Sequence, residues 1–448
     1  SRRAHDHQVW GPFDAADKRG RVAPLAVEHH GPAEVERGRA TFSAMRRAYT
    51  NATIWTAAGD PIEAGTLLVE GGKVLAVGTD VDTSAADVVD CSGKYLIPGF
   101  IDAHVHTGVW GEGARDDTDG NEMSEAVTPY ARTLDAIYPE DIGFEDARRG
   151  GVTTLGITHG SANPIGGQVT VVKAVGLVVD EMVIRVPAGL KMALGENPKR
   201  VGDMKSRGPT TRMGSAYLAR KAFVEAIEYR NDWEHYEALQ AAEAVKPEGE
   251  RTPRRAPKRD LGKEALLLVL DGEIPVRNHA HRMDDIRTAI RLSEEFGYRL
   301  VLEHATEGWR IPNEIASRGI PVAMGPFYTS ASKREVNRRT PAAVGILVEH
   351  GVTVAVMTDS PVNTVDTLRD LVIVAIREGL PEARALETVT INPASILEVD
   401  DRVGSLEPGK DADFLIFGGD PWDGRNKVEA TYIEGALVFE ANGPYLPT

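Results

Sequence analysis

The sequence predicts an α/β fold, a distorted (β/α)8 TIM barrel with a small accessory β-sandwich formed from both ends of the chain. One observation is that eight apolar, β-type runs alternate with helical stretches between residues 98 and 404. The other is that shorter β-type runs stand at both ends of the chain, and neither group is large enough to bury a core alone. The simplest way to bury the apolar residues of both groups is to join them into one sandwich.

Four parts follow one another along the chain. Residues 1–47 show no clear periodicity and are predicted to form an arm on the surface. Residues 48–97 form the first part of the sandwich, and residues 405–448 form its second part. The barrel occupies residues 98–404 and contains a helical insert at about 199–263.

The eight barrel strands are predicted from apolar runs that end in polar residues. In chain order they are YLIPGFIDAHVH, GGVTTLGIT, QVTVVKAVG, AGLKMALG, IPVRNHAH, YRLVLEHA, IPVAMGPF and VTVAVMTDSP. Stretches such as MDDIRTAIRLSEEFG separate most of them, and the three- and four-residue spacing of their apolar positions is typical of helices. A barrel of this kind carries its active site at the C-terminal ends of its strands.

The insert is unusually basic for an acidic chain. We interpret it as exposed helices and a loop. The alternative is that Arg200, Arg207 or Arg212 recognises a carboxylate or phosphate of a substrate.

Composition excludes several classes of partner. The formal net charge of -16 argues against nucleic acid or an anionic membrane, because both are bound through basic surfaces. The single cysteine, Cys91, allows neither an internal disulfide framework nor a thiolate zinc cluster. No run of about eighteen apolar residues suggests a membrane span. We therefore expect a cytoplasmic protein that acts on a small molecule.

Residues that bind metals stand at the ends of four predicted strands. His104 and His106 are two residues apart, so their side chains share one face of a strand and can bind one ion. Later strands end in His279 and His281, in His304 and in Asp359. Imidazole plus carboxylate suits zinc, manganese or iron, and core packing does not explain four such strand ends.

These motifs resemble the amidohydrolase superfamily, metal-dependent hydrolases built on a distorted (β/α)8 barrel with an accessory β-sandwich. The resemblance rests on SGKYLIPGFIDAHVH, the strand-end histidines, Asp359 and the tail INPASILEVDDRVGSLEPGKDADFLIF, and it covers nearly all of the chain after the arm. The segments THGSANPIGGQ, GLKMALGENPKR and HAHRMDDIRTAI are similar to the imidazolonepropionase-related branch.

The resemblance implies ligands for two divalent metal ions, zinc before manganese or iron. His104 and His106 would bind the more buried ion, and His279 and His304 would bind the second. Asp359 would be both a ligand and the proton acceptor.

The resemblance also implies that Lys191, in the fourth strand, carries a carbamate that bridges the two ions. This requires a neutral amine, so the site must lower the pKa of that lysine. Two alternatives stay open, a single metal ion and Glu196 in place of the lysine. His159 and His281 are expected to act as neutral donors near the reacting carbonyl.

Substrate-facing residues are predicted from their positions after strand ends. Asn163 and Gln168 follow the second strand, whereas Arg282, Tyr328 and Glu122 lie past other strand ends or in the long loop after the first. Homo-oligomers are common in the superfamily, so a homo-oligomer is expected here.

The predicted activity is hydrolysis of a C–N bond in an amide, a peptide-like molecule or a cyclic amide. Metal-activated hydroxide would attack the carbonyl, with Asp359 as general base. The alternative is a heterocycle deaminase with one metal ion, which Lys191 disfavours. A non-catalytic barrel is the remote alternative, disfavoured because the chain retains the whole ligand set.

Overall fold

The structure is a computed structural model that describes residues 46–111, 118–330 and 332–441. The predicted N-terminal arm lies outside the described residues except at its end, where Arg47 already begins the first strand. Residues 442–448 of the predicted second sandwich part also lie outside them.

The strands of the described residues fall into three sheets. In chain order they are β1 (Arg47–Ile54), β2 (Ile62–Glu70), β3 (Lys73–Gly78), β4 (Asp87–Asp90), β5 (Tyr95–Pro98), β6 (Phe100–Val105), β7 (Val152–Ile157), β8 (Ile165–Gln168), β9 (Thr170–Lys173), β10 (Val183–Arg185), β11 (Leu190–Ala193), β12 (Val276–Ala280), β13 (Leu300–His304), β14 (Val322–Met324), β15 (Val354–Val356), β16 (Phe414–Phe417), β17 (Val428–Ile433) and β18 (Ala436–Glu440).

The α-helices lie mostly between the later strands. They are α1 (Ile142–Gly150), α2 (Val179–Met182), α3 (Glu196–Met204), α4 (Arg212–Ala244), α5 (Leu261–Leu270), α6 (Met283–Phe296), α7 (Pro312–Ala316), α8 (Ala342–Glu349), α9 (Leu368–Arg377) and α10 (Ile391–Ile396). No helix in the described part of the chain is long and apolar enough to cross a membrane.

Local sequence explains where individual helices begin and end. The Asp141 side chain caps α1 by accepting a hydrogen bond from the Gly143 amide at 2.7 Å. Gly151 ends α1 with φ of 80°, and Gly297 ends α6 with φ of 74°. Both glycines occupy the left-handed region, which favours a residue without a Cβ atom.

An eight-stranded sheet joins the two ends of the chain. Its order is β18-β17-β16-β5-β1-β2-β3, with β4 paired to β1. The junction is the antiparallel pair β5 and β16, in which Ile97 lies opposite Leu415. The rings of Tyr49 and Tyr432 pack on Phe414 beneath the sheet, with centroids 4.8 and 4.3 Å from that ring. The predicted division of these strands into two packed layers stays a prediction.

All eight predicted barrel strands are present in the two other sheets. β11 to β15 are parallel neighbours, and β6 is parallel to β7. Just beyond β6 and β15, the His106 amide donates to the Ser360 carbonyl oxygen at 2.8 Å. The ends of the first and last predicted strands therefore lie side by side.

The predicted third strand differs in direction from a regular barrel strand. The run QVTVVKAVG corresponds to β9 and shares only Gln168 with β8, and β8 and β9 run antiparallel to β11 and β7 respectively. Only residues 158–164 connect β7 to β8. A parallel connection needs a crossover of about a dozen residues or more, so this short loop can only reverse the chain.

The insert is only partly separate from the barrel core. Ala219 and Phe223 of α4 are fully buried in the main hydrophobic core, so the interpretation of the whole insert as exposed helices is wrong for its first part. Residues 230–258 belong to a second, smaller compact unit. The physical reason is that the first turns of α4 carry alanines and a phenylalanine at core-facing spacing.

Candidate metal centre

Five of the predicted ligands meet at one end of the barrel strands. They are His104 and His106 at the end of β6, His279 in β12, His304 at the end of β13 and Asp359 after β15. Ligand atoms of His104, His304 and Asp359 lie within 4.8 Å of one another, and so do those of His279, His281 and His304. The two groups share His304, as expected for adjacent cation positions.

Two of these residues have an unusual backbone conformation. His304 has φ of 68° and Asp359 has φ of 56°. Residues other than glycine rarely adopt positive φ, and such conformations concentrate at functional sites. Both residues stand where a strand has just ended, so the turn directs a metal-binding side chain at the strand end.

Hydrogen bonds orient the imidazole rings. His106 donates from Nδ1 to the carbonyl oxygen of Thr158 at 2.8 Å, and His304 donates from Nδ1 to that of Gly325 at 2.7 Å. These bonds fix the tautomer and leave Nε2 of each ring as the metal-binding atom.

The surroundings of the His279 ring indicate whether a cation fits this site. Its Nδ1 lies 2.9 Å from the Ser161 hydroxyl oxygen. Its Nε2 is buried and finds no hydrogen-bond partner among the described residues. A buried acceptor is costly unless something binds it, so a cation at this nitrogen fits the arrangement.

Burial keeps the histidines neutral. It lowers the pKa of His106, brings that of His304 to about 3, and holds that of His279 well below its usual range. Neighbouring imidazoles add to the effect at His279. Neutral imidazoles present the lone pairs that metal binding needs at pH 7.

Asp359 lies between the two histidines of β6. Its Oδ1 is 3.2 Å from Nε2 of His104 and 3.2 Å from Nε2 of His106. Burial disfavours its charged form, but His304 and the two histidines of β6 outweigh this and hold its pKa well below the usual range. The carboxylate is therefore charged when it faces a cation.

Lys191 belongs to the same cluster. It lies in β11, is fully buried, and places Nζ 3.3 Å from Nε2 of His104. Burial lowers the pKa of its amine to about 8, against the opposing charges of Glu303 and Asp359. The amine of Lys191 therefore loses its proton far more readily than the amine of a lysine in water.

Two buried residues beside the candidate ligands, Glu303 and Arg277, were not predicted from the sequence. The carboxylate of Glu303 accepts hydrogen bonds from Nδ1 of His104 and from Nε of Arg277, and all three side chains are fully buried. Arg277 also donates to the carbonyl oxygen of Ala103 at 2.8 Å. The available signal was an Arg and a Glu inside otherwise apolar strands, since such charges are almost never buried unless paired.

We expect Glu303→Gln to weaken metal binding about 10- to 100-fold, because it removes the negative charge that orients His104 and makes it a stronger ligand. Chelator competition on the purified variant measures this affinity. The variant Glu349→Gln, at an exposed position, is the matched control. Unchanged affinity in Glu303→Gln would show that the buried carboxylate does not support the ligand.

Both predicted neutral donors have their ring nitrogens occupied. His159 accepts from the Glu122 amide at 2.8 Å and donates to the Gly160 carbonyl at 2.8 Å. His281 is bound through Nδ1 to Thr306 at 2.7 Å and through Nε2 to Lys333 at 3.1 Å. The predicted donor role of His159 is therefore wrong, because its hydrogen bonds hold the main chain of the preceding loop.

Two predicted substrate residues also hold that loop. Asn163 donates to the carbonyl oxygens of Glu122 and Glu125 at 2.7 and 3.0 Å, and Gln168 donates to that of Pro129 at 3.1 Å. Their NH2 groups are thus bound to main-chain oxygens, whereas the buried amide oxygen of Asn163 has no hydrogen-bond partner among the described residues.

The other residues predicted from their positions belong to neither group of candidate ligands among the described residues. Arg282 is paired with Asp284 at 2.8 Å, and the Tyr328 side chain is 64% exposed. Glu196 begins α3 and belongs to neither metal-binding group of the described residues. This arrangement therefore does not support Glu196 as a ligand in place of Lys191.

The fold and the site define a class, the α/β barrel enzymes that gather histidines and a carboxylate at their strand ends. The model of the amidohydrolase family matches residues 95–438. The chain belongs to the amidohydrolase family, as predicted, and it is a hydrolase that acts on C–N bonds. An amidohydrolase of known structure from Thermotoga maritima MSB8 is 42% identical, with a TM-score of 0.82 over 88% of this chain and 100% of that chain.

Two further relatives show the breadth of the family. Amidohydrolase tasK from Hapsidospora irregularis is 32% identical, and the match covers 87% of this chain but 43% of that protein. This chain thus spans less than half the length of that relative. An imidazolonepropionase from Sphingopyxis alaskensis is 26% identical over 421 residues, covering 87% of this chain and 95% of that protein. The predicted relationship to imidazolonepropionases is confirmed.

Proposed function

We propose that the protein hydrolyses a C–N bond in a small amide, peptide-like molecule or cyclic amide with the help of two divalent metal ions, zinc first among them. The observations that carry this are two groups of possible ligands that share His304, namely His104, His304 and Asp359, and His279, His281 and His304. His106 joins the first group through Asp359, whose Oδ1 lies 3.2 Å from its Nε2. His104, His106 and Asp359 would hold one ion, and His279 and His304 the other.

A bound divalent metal ion lowers the pKa of water to about 7 and polarises a carbonyl group. Asp359, which faces His104 and His106, accepts the proton of the attacking water and passes it to the leaving nitrogen. His281 is held by Thr306 and Lys333, so both of its ring nitrogens are occupied.

Lys191 distinguishes the proposed hydrolase from a deaminase with one metal ion. A carbamate on its amine would give two oxygen ligands between the two cation positions. Its burial and its distance of 3.3 Å from His104 support that assignment. Glu303 and Arg277 then keep the adjoining imidazole in place.

The ligand assignment is tested by metal content and turnover together. His104→Ala and His304→Ala are each expected to bind less metal and to lose activity, because each opens a coordination position. The exposed His350 provides the matched control, His350→Ala, which should bind metal as the wild type does. Elemental analysis gives the metal-to-protein ratio, and a panel of N-acyl amino acids, dipeptides and cyclic amides gives turnover. Normal ratios and normal turnover in both variants would disprove the assignment.

A further inference from the structure

A cation lies beside the candidate metal centre, outside the proposed reaction. Lys333 follows β14, and its ammonium is 3.1 Å from Nε2 of His281. The His281 ring lies 4.7 Å from that of His304 and 4.5 Å from that of His279, measured between centroids. The Lys333 side chain is 17% exposed. Its charge is therefore next to the metal ligands and still reachable from solvent.

Two of the three arginines that the sequence offered for anion recognition, Arg207 and Arg212, are engaged elsewhere, and the third, Arg200, is exposed. Arg207 donates to main-chain carbonyl oxygens at 2.9 and 3.2 Å. Arg212 binds the Asp285 carboxylate through Nε at 2.9 Å, and Arg282 binds Asp284. Recognition of a substrate anion through Arg207 or Arg212 would require these contacts to break.

Lys333 is held in place by acceptors that do not fully neutralise it. Besides the neutral His281 ring, Nζ contacts the amide oxygen of Asn197 at 3.2 Å and Oε1 of Glu335 at 3.2 Å. The other oxygen of Glu335 accepts the Glu196 amide at 2.8 Å and lies 3.8 Å from Arg212. One buried carboxylate is thus shared by two cations.

The weakest of these partners can be exchanged for a substrate group. The Asn197 oxygen is a neutral acceptor for the ammonium, whereas a carboxylate adds the attraction of its own negative charge. A substrate carboxylate can therefore replace the Asn197 oxygen on Lys333 while His281 and Glu335 continue to position the ammonium.

We propose that Lys333 is the anion-binding residue of the pocket, and that the substrate carries a free carboxylate close to its scissile C–N bond. This inference rests on the proposed function, because the scissile bond is placed at the cation positions. The carboxylate on Lys333 and the carbonyl at the metal centre then orient the substrate at two points.

The test compares acids with their carboxamides on the zinc-loaded protein. The panel consists of N-acetyl amino acids, dipeptides and 5-oxoproline, each paired with the matching carboxamide. Calorimetry and thermal shift measure binding, and product analysis measures hydrolysis. The variants are Lys333→Met, which keeps the length of the side chain without its charge, and Lys427→Met, an exposed lysine as control.

We expect the wild type and Lys427→Met to prefer at least one acid over its carboxamide by about 10- to 100-fold, the range of one charged hydrogen bond. Lys333→Met should lose this preference at unchanged metal content. The proposal is overturned if the wild type shows no acid preference, if the preference survives in Lys333→Met, or if that variant weakens acid and carboxamide equally. The wild-type comparison holds even if the variant fails to fold. Selective binding of acids without hydrolysis would leave the anion-binding role of Lys333 standing and would count against the proposed reaction instead.

Discussion

Replacing Asp359 by asparagine is expected to lower kcat by about 10²- to 10⁴-fold, the usual contribution of a general acid or base. The side-chain amide has nearly the same shape and keeps an oxygen that can bind a metal. It cannot accept the proton of water, so the loss falls on the chemical step. KM and metal content should change much less.

The measurement is steady-state kinetics on any substrate found in the panel, together with elemental analysis of the same preparations. Asp401→Asn, at an exposed position, is the matched control. Near wild-type kcat in Asp359→Asn would place the proton acceptor elsewhere. A parallel loss of metal would show that Asp359 acts chiefly as a ligand.

The positions of the ligands were predictable because they depend on simple periodicity. His104 and His106 share a strand face through the two-residue repeat, and parallel strands deliver their C-terminal ends to the same edge. His279, His304 and Asp359 each follow an apolar run. Any fold that aligns those runs in parallel therefore brings the ligands together.

The groups that support the ligands were harder to predict. Arg277 and Glu303 sit within apolar strands, and nothing in the local pattern indicates that they pair with each other and with His104 across two neighbouring strands. Lys333 stands in a polar loop without periodicity. Its contact with His281 bridges 52 residues and depends on the path of that loop.

Strand direction was also hidden, since an apolar run has the same pattern in either direction. The antiparallel pairing of β8 and β9 shows that they are reversed, and the short loop before them explains the reversal. That reversal still leaves Lys191 in β11 beside the strand that carries His279, with Ala193 opposite His279 in the pairing of β11 and β12. The metal site is therefore compatible with an irregular barrel.

Replacing Lys191 by alanine should reduce the centre from two metal ions toward one or none. A carbamate would place negative charge between two cations, and without it the cations repel each other across a short gap. Activity should fall with metal content. Elemental analysis and turnover, measured on the same sample, test both effects.

Lys173 is the matched control, because it is also a buried lysine but its pKa is shifted in the opposite direction. Burial disfavours its charge too, but Asp413 and Asp411, at 2.6 and 2.9 Å, outweigh burial and raise its pKa. Its amine therefore stays protonated and cannot react with carbon dioxide. Lys173→Ala should destabilise the fold by about 3–5 kcal/mol, the cost of a broken buried pair, since it removes the cation paired with buried Asp413, whereas Asp411 keeps Lys73 and Arg402.

Addition of a short carboxylic acid separates a bridging role of Lys191 from a structural one. The two oxygens of acetate can stand in for those of a carbamate in the cavity left by Lys191→Ala or Lys191→Gly. Acetate should then restore part of the metal content and of the activity, and it should do nothing for Lys173→Ala. Full metal content in Lys191→Ala without acetate would refute the bridge. A ratio of one metal ion per chain in the active wild type, unchanged in Lys191→Ala, would instead favour the one-metal deaminase chemistry, because the histidines and Asp359 would then hold a single ion without help from the fourth strand.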